Sequence, residues 1–263
     1  YQQLKQFTAD ASHELRNPIA TIQTNVQVAL SEEPLQPQQR QQLQTIERLT
    51  RRLGRLVDDL LFLARQDSSI VAPEFSPVPL DALLMETIEE QQLAAATRGI
   101  KLTLEIIDPL PSPVGQSDDR ELEVFSIDGD WDRLVRLFTN LLTNAIQYTP
   151  PPPADRQGVE PVTPQINVEL RQLIRQHISY LQVKVQDTGM GIPDVALPHL
   201  CDRFYRVDPA RTSTASDVSS GSGLGLAIVQ SIVSSHHGEL VIESQVNVGT
   251  TVTVTFKQSR AQK

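Results

Sequence analysis

Between Leu4 and Ala29 apolar side chains recur in steps of three and four, at Leu4, Phe7, Ala11, Leu15, Ile19, Ile22, Val26 and Ala29. One stripe of a long helix is therefore apolar and the remainder polar. The spacing returns at Leu43, Ile46, Leu49, Leu53, Leu56, Leu60 and Leu63, after a stretch from Ser31 to Pro37 whose two prolines read as a turn. These runs predict a helical hairpin over residues 1–67. Two such helices carry more apolar stripe than they can cover between themselves, so the economical arrangement is a homodimer closing a four-helix bundle. The alternative is a hairpin covered by its own downstream domain.

The texture then changes. A proline-bearing connector, 71–79, leads to helix 80–97, strands 100–107 and 122–127, helix 130–148, strands 166–171 and 180–186, helix 223–235, and strands 240–244 and 250–256. Strands alternating with helices predict a layered α/β domain over 80–260. Two segments break the rhythm. The run Pro150 to Pro164 reads as a stiff surface insertion. The polar stretch 193–220 is too long for an ordinary connection, and loops of that length are lids or disordered segments.

Composition narrows the function classes. Apolar residues make up 39% and charged residues 21%, enough for a packed core. No window approaches a membrane-spanning length, and no basic-then-apolar leader precedes the first helix, so a cytoplasmic setting without membrane contact from these residues is expected, with membrane anchoring of a longer parent protein left open. The chain opens at Tyr1 inside a helical run, which reads as a piece of something longer. A single cysteine, Cys201, excludes a disulfide within the chain and any cysteine-based metal site. The net charge is −9, and all of the imbalance lies beyond residue 67, which argues against nucleic acid as a partner. An anionic ligand there must be held by backbone amides or a metal.

Four segments carry chemistry. In Phe7 to Pro18, His13 and Glu14 sit on the solvent flank of the helix; an adjacent carboxylate can accept an imidazole proton and expose a nucleophilic nitrogen. Pro18 removes one helical amide bond a turn later. Asn17, four residues after His13, shares its helix face. In Asp130 to Pro150, Asn140 and Asn144 share a face opposite Leu137, Leu141 and Ala145. Their amide oxygens suit Mg²⁺ beside phosphates, although helix asparagines also cap or face water. Asp187-Thr188-Gly189-Met190-Gly191-Ile192 follows an apolar strand and places a carboxylate where it can accept from a base amino group; a ligand-free turn would have the same look. Gly221-Ser222-Gly223-Leu224-Gly225 opens a helix, whose free amides suit phosphate. Its spacing fits neither a dinucleotide fingerprint nor a P-loop, and protein-kinase signatures of the eukaryotic type are missing.

In this order the segments resemble the transmitter core of bacterial two-component sensor histidine kinases: the H box of a HisKA domain at His13, then the N box (Asn140, Asn144), G1 box (Asp187–Ile192), F box (Asp202–Asp208) and G2 box (Gly221–Gly225) of a GHKL-type ATP-binding domain. The resemblance spans residues 1 to about 257. It implies an α+β multidomain protein, with a dimeric phosphotransfer domain over 1–70 and a two-layer α/β sandwich over 80–260. ATP would bind under a lid near 193–220. Asp187 would read the adenine, with Tyr148, Gly189, Gly191, Ile192, Arg203, Phe204, Arg206, Gly221, Gly223, Leu224 and Gly225 around the nucleotide. Asn144, with Asn140, would hold Mg²⁺. The γ-phosphoryl group would pass to His13 with Glu14 as general base, and then to an aspartate of a response regulator receiver domain. Asn17 would serve a phosphatase activity. In hydrolytic GHKL relatives a glutamate activates water four positions before the metal asparagine; here that position is Asn140, which cannot act as a base, so the resemblance implies transfer rather than hydrolysis.

Some positions depart from the family pattern: Gln147 where a lysine is frequent, Leu200-Cys201 before the F box, Ser220 for a glycine, and the long 150–164 run. His236-His237 at a helix end read as partners for terminal carbonyls, with metal binding as the alternative. Arg48, Arg51, Arg52 and Arg55 form either a solvated face or a dock for an acidic surface. Two rival functions stand beside the kinase: a degenerate nucleotide-binding member acting as phosphatase or scaffold, and a dimerisation module with an unrelated α/β domain.

Overall fold

The computed structural model describes residues 2–31, 35–67, 75–107, 125–151, 163–207 and 222–259, with residues 2–14, 16 and 67 described by backbone alone. These residues fall into two units, a helical hairpin and an α/β unit.

The hairpin consists of α1 (Gln2–Ser31), which continues as helix through Pro18, and α2 (Pro37–Asp67). Pro37 opens α2, a place where a missing N–H breaks no helical bond. Ile19 and Val26 of α1 and Thr50 and Leu63 of α2 are buried. A methyl on Gly54 would lie 3.5 Å from Cγ2 of Ile19, so the helices approach closely there. Leu15, expected on the buried stripe, is 48% exposed, and Ile22, Ile46, Leu49, Leu53 and Leu60 are exposed as well. The stripe is wider than one partner helix can cover.

In the α/β unit a two-stranded antiparallel ribbon pairs β1 (Ser76–Pro79) with β3 (Ser126–Gly129). The main sheet has the order β2-β4-β5-β7-β6, from β2 (Lys101–Ile107), β4 (Gln165–Arg175), β5 (Ile178–Asp187), β6 (Glu239–Gln245) and β7 (Gly249–Lys257). Only the β2–β4 pair is parallel. One sheet face carries Leu102, Ile166, Val168, Leu170, Leu181, Val183, Val254 and Phe256, all buried. The helices α3 (Leu80–Thr97), α4 (Trp131–Tyr148) and α5 (Gly225–Ser235) supply the other half of the core through Leu83, Leu84, Leu137, Phe138, Ile228 and Ile232. The opposite sheet face is polar, with Thr103, Asn167, Gln186, Thr251 and Glu243 in one cross-strand row. Alternation of this kind marks a sheet covered on one side, the two-layer arrangement expected.

Several boundaries differ from the sequence reading. Residues 76–79 of the expected connector form a strand; its prolines are tolerated because β1 belongs to a two-stranded ribbon with open edges. The strand expected at 122–127 is Ser126–Gly129, and 121–124 lie outside the described residues. α5 begins at Gly225, two residues later than expected. β4 and β5 run on to a tight turn at Gln176-His177, whose φ values of 50° and 64° no glycine signalled. Within 193–220, Asp194–His199 forms a short 3₁₀ helix, and 208–221 lie outside the described residues, as do 152–162 of the proline-rich insertion. No helix among the described residues is long and apolar enough to cross a membrane.

Candidate active site

Asp187 ends β5 with 9% of its surface exposed. Its Oδ1 accepts from the backbone N–H of Gly189 at 2.7 Å and of Thr250 at 3.2 Å. Burial pushes the carboxyl above its ordinary range, and these two donors oppose the shift. The residue is thus a desolvated acceptor fixed at a strand end.

The loop that follows is stitched to its surroundings. Met190 N–H donates to the Tyr148 carbonyl at 3.2 Å, tying the loop to the end of α4. A methyl on Gly189 would lie 2.6 Å from Oδ1 of Asp187 and 2.7 Å from the Tyr148 carbonyl oxygen, so no other residue fits there. Asn247 N–H reaches the Met190 carbonyl at 2.7 Å, and Ile192 N–H donates to Oγ of Ser244 at 2.8 Å.

α4 brings the two asparagines to this region. Asp130 caps it by accepting from the N–H of Arg133 at 3.1 Å. Leu137, Leu141 and Ala145 are buried, as the periodicity predicts, while Asn140 and Asn144 lie half-buried on the other face. Nδ2 of Asn140 donates to the Arg136 carbonyl at 2.8 Å, which leaves Oδ1 as the outward atom. The first residue of α5 abuts this pair: a methyl on Gly225 would lie 3.1 Å from Oδ1 of Asn140 and 3.7 Å from Nδ2 of Asn144. An amide oxygen beside a helix N-terminus is a donor set that fits a hard divalent ion on phosphate.

Of the remaining expected residues, Tyr148 is 41% exposed, Arg203 is exposed and Arg206 half-buried. Phe204 takes φ 65° and presents 57% of its surface. Gly223 takes φ 72°, and Leu224 N–H donates to Oγ of Ser222 at 3.2 Å. Gly221 lies outside the described residues, as do the side chains of His13 and Glu14, whose backbones belong to α1. Asn17 is exposed, and its carbonyl accepts from Oγ1 of Thr21 at 3.0 Å.

Four further residues hold these elements together without having been assigned to the site in the sequence. Arg98, at the end of α3, donates to the carbonyls of Gln147 and Thr149 at 3.2 and 3.4 Å and so anchors the last turn of α4. Nothing in sequence distance hints at that pairing. Ser244 and Thr250 converge beside Asp187; the Gly249-Thr250 step after a turn was the available signal. His236 donates from Nδ1 to the Ile232 carbonyl at 2.9 Å, as expected for a helix end, but its Nε2 also accepts from Asp130 N–H at 3.1 Å, joining α5 to the start of α4.

Residues 129–260 match the family model described as "Histidine kinase-, DNA gyrase B-, and HSP90-like ATPase", and residues 3–69 match "His Kinase A (phospho-acceptor) domain". The chain belongs to the sensor histidine kinases. Among curated relatives, the sensor histidine kinase RppB of Synechocystis sp. is 34% identical over 255 residues, covering 97% of this chain and 49% of the relative. The phosphate regulon sensor protein PhoR of Pseudomonas aeruginosa is 32% identical, with 97% and 50% covered. The chain spans about half the length of these relatives. Among solved structures, full-length ShkA in complex with AMPPNP aligns with TM-score 0.70 and 22% identity, over 98% of this chain and 47% of that one. AdeS of Acinetobacter baumannii aligns with TM-score 0.57 and 16% identity, over 94% and 98%. At these identities the structural likeness speaks for the fold.

Proposed function

We propose that this chain is an ATP-dependent, autophosphorylating histidine kinase core that works as a homodimer through residues 1–67 and passes its phosphoryl group to an aspartate of a response regulator. The observation that carries the reading is the meeting of Gly225 with Asn140 and Asn144 on the unit that also holds the buried Asp187 carboxylate. One arrangement offers an acceptor for a base amino group, amide oxygens for a cation on phosphates, and a helix N-terminus for the phosphates themselves.

Asp187 accepts from the adenine amino group. Asn144 and Asn140 would hold Mg²⁺, which would supply neutralisation of charge on the phosphates. The amides at the start of α5 orient the terminal phosphate. A ring nitrogen of His13 forms the bond to the γ-phosphorus as the bond to the β–γ bridging oxygen breaks, ADP departs, and Glu14 takes the imidazole proton. Asn140 cannot deprotonate water, which favours transfer over hydrolysis. The exposed Leu15, Ile22, Ile46, Leu49, Leu53 and Leu60 support the homodimer, because one hairpin leaves them in water.

Incubation with γ-labelled ATP and Mg²⁺ tests the reading. Label that is lost in acid, survives base and disappears in His13→Gln is expected. Acid-stable label, or label retained in His13→Gln, refutes it.

A further inference from the structure

Ser244 belongs to none of the motifs, yet its hydroxyl joins three segments at the Asp187 end of the sheet. Its Oγ lies 2.8 Å from Ile192 N, 2.9 Å from the Gly249 carbonyl oxygen and 2.8 Å from Oγ1 of Thr250. A hydroxyl has one hydrogen and two acceptor sites. The Gly249 carbonyl can only accept, so the Ser244 hydrogen goes there. Ile192 N–H occupies one acceptor site, and the contact with Thr250 then requires Thr250 to donate into the other. The hydroxyl hydrogen of Thr250 is thereby committed, and its oxygen can serve other partners only as an acceptor.

Register makes the consequence local. Asp187, Thr250 and Ser244 are direct neighbours in one row across β5, β7 and β6. Thr250 N–H also donates to Oδ1 of Asp187. Within the row, Asp187 and Thr250 therefore present a carboxylate and a hydroxyl oxygen that both accept, with Ser244 on the far side of Thr250. We infer that Ser244 is a positioning residue for base selection: by drawing the Thr250 hydrogen away, it leaves an acceptor-only edge that suits a base with an exocyclic amino group. A base with an oxo group would set lone pair against lone pair and leave its own acceptor unpaired, a mismatch that sites with fixed hydrogen-bond polarity reject strongly. This inference rests on the nucleotide-binding reading above.

The test compares wild type, Ser244→Ala and Ser244→Thr of the full chain for ATP and GTP binding by calorimetry, and for autophosphorylation kinetics. Ser244→Ala frees the Thr250 hydroxyl to rotate and donate. Its ATP-over-GTP preference should fall about tenfold, the effect of one redirected hydrogen bond. KM for ATP should rise while kcat stays within about twofold, because Asn140, Asn144 and Gly225 are untouched. Ser244→Thr, which keeps the hydroxyl, should restore the preference. Unchanged preference in Ser244→Ala overturns the inference, as does equal weakening toward ATP and GTP, the mark of a purely structural role. Failure of wild type to bind ATP would instead remove the underlying nucleotide reading.

Discussion

Gly225 and Asn140 stand so close that a single methyl group would bring them into conflict: a Cβ on Gly225 would lie 3.1 Å from Oδ1 of Asn140. The amide cannot swing freely away, because its Nδ2 is bonded to the Arg136 carbonyl. The start of one helix thus meets the polar face of another with only a hydrogen between them.

Gly225→Ala separates stability from function. In the first turn of α5 alanine favours helix over glycine, by up to about 1 kcal/mol in a helix interior and less at an end. The expected outcome is an unchanged or slightly raised melting temperature together with autophosphorylation reduced about tenfold by the displaced Asn140 oxygen, a shift worth ~1.4 kcal/mol. Thermal denaturation and labelled-ATP rates on the same preparation check it. Full activity would remove Asn140 from the phosphate side of the site.

Nucleotide affinity should weaken on acidification at a higher pH than an ordinary carboxylate would give. Burial raises the Asp187 carboxyl above 3.8, and only its ionised form accepts fully from an amino group. Affinity is therefore present above the raised value and lost as pH falls through it. Calorimetry from pH 8 down to pH 4, on wild type and Asp187→Asn, is the measurement. Asp187→Asn should bind poorly and show a flat profile, and ATP binding like that of wild type would contradict the assignment.

The α/β unit should lose stability in mild acid through His236. Its ring is buried, stacked on Phe75 at 4.6 Å and set edge-on to Phe256 at 6.0 Å. Nδ1 must carry the hydrogen given to the Ile232 carbonyl, so Nε2 is the bare acceptor for Asp130 N–H, and a second proton would break that bond. Burial lowers its pKa from 6.5. The unfolded chain takes up a proton near 6.5 and the folded chain only at lower pH, so stability is full above about 6.5 and declines as pH falls below it. Melting curves at pH 7.5 and 5.5 should differ for wild type, and the difference should shrink in His236→Gln. His236→Ala should cost about 2–4 kcal/mol at neutral pH, from lost packing and an orphaned Asp130 N–H. A pH response identical in His236→Gln would exonerate this ring.

Asn17 should separate kinase from phosphatase action. It follows His13 by four residues and is exposed on α1, where its amide can orient a water without deprotonating it. Asn17→Ala is expected to keep His13 labelling near normal while slowing loss of label from the phosphorylated regulator in the presence of ADP. Dephosphorylation at the wild-type rate, or a joint fall of both activities, would count against the orienting role.

The sequence by itself determined the chemistry-bearing letters and the main helices and strands, though not β1 or the short 3₁₀ helix. Apolar steps of three and four reported α1, α2 and α4, because a helix that buries one face must write that face every turn. Asn140 and Asn144 were legible as a pair for the same reason, and Asp187 with its glycines because a strand end and a tight turn are local events. Only the tertiary structure decided what depends on contacts between distant segments. Leu15 belongs to a regular stripe, but whether it is covered depends on how many helices share that stripe. Arg98 anchors α4 across 49 residues, Ser244 reaches Ile192 across 52, and His236 holds Asp130 across 106. Periodicity reports which way a side chain faces relative to its own element; the partner it meets is set by the packing of one element on another.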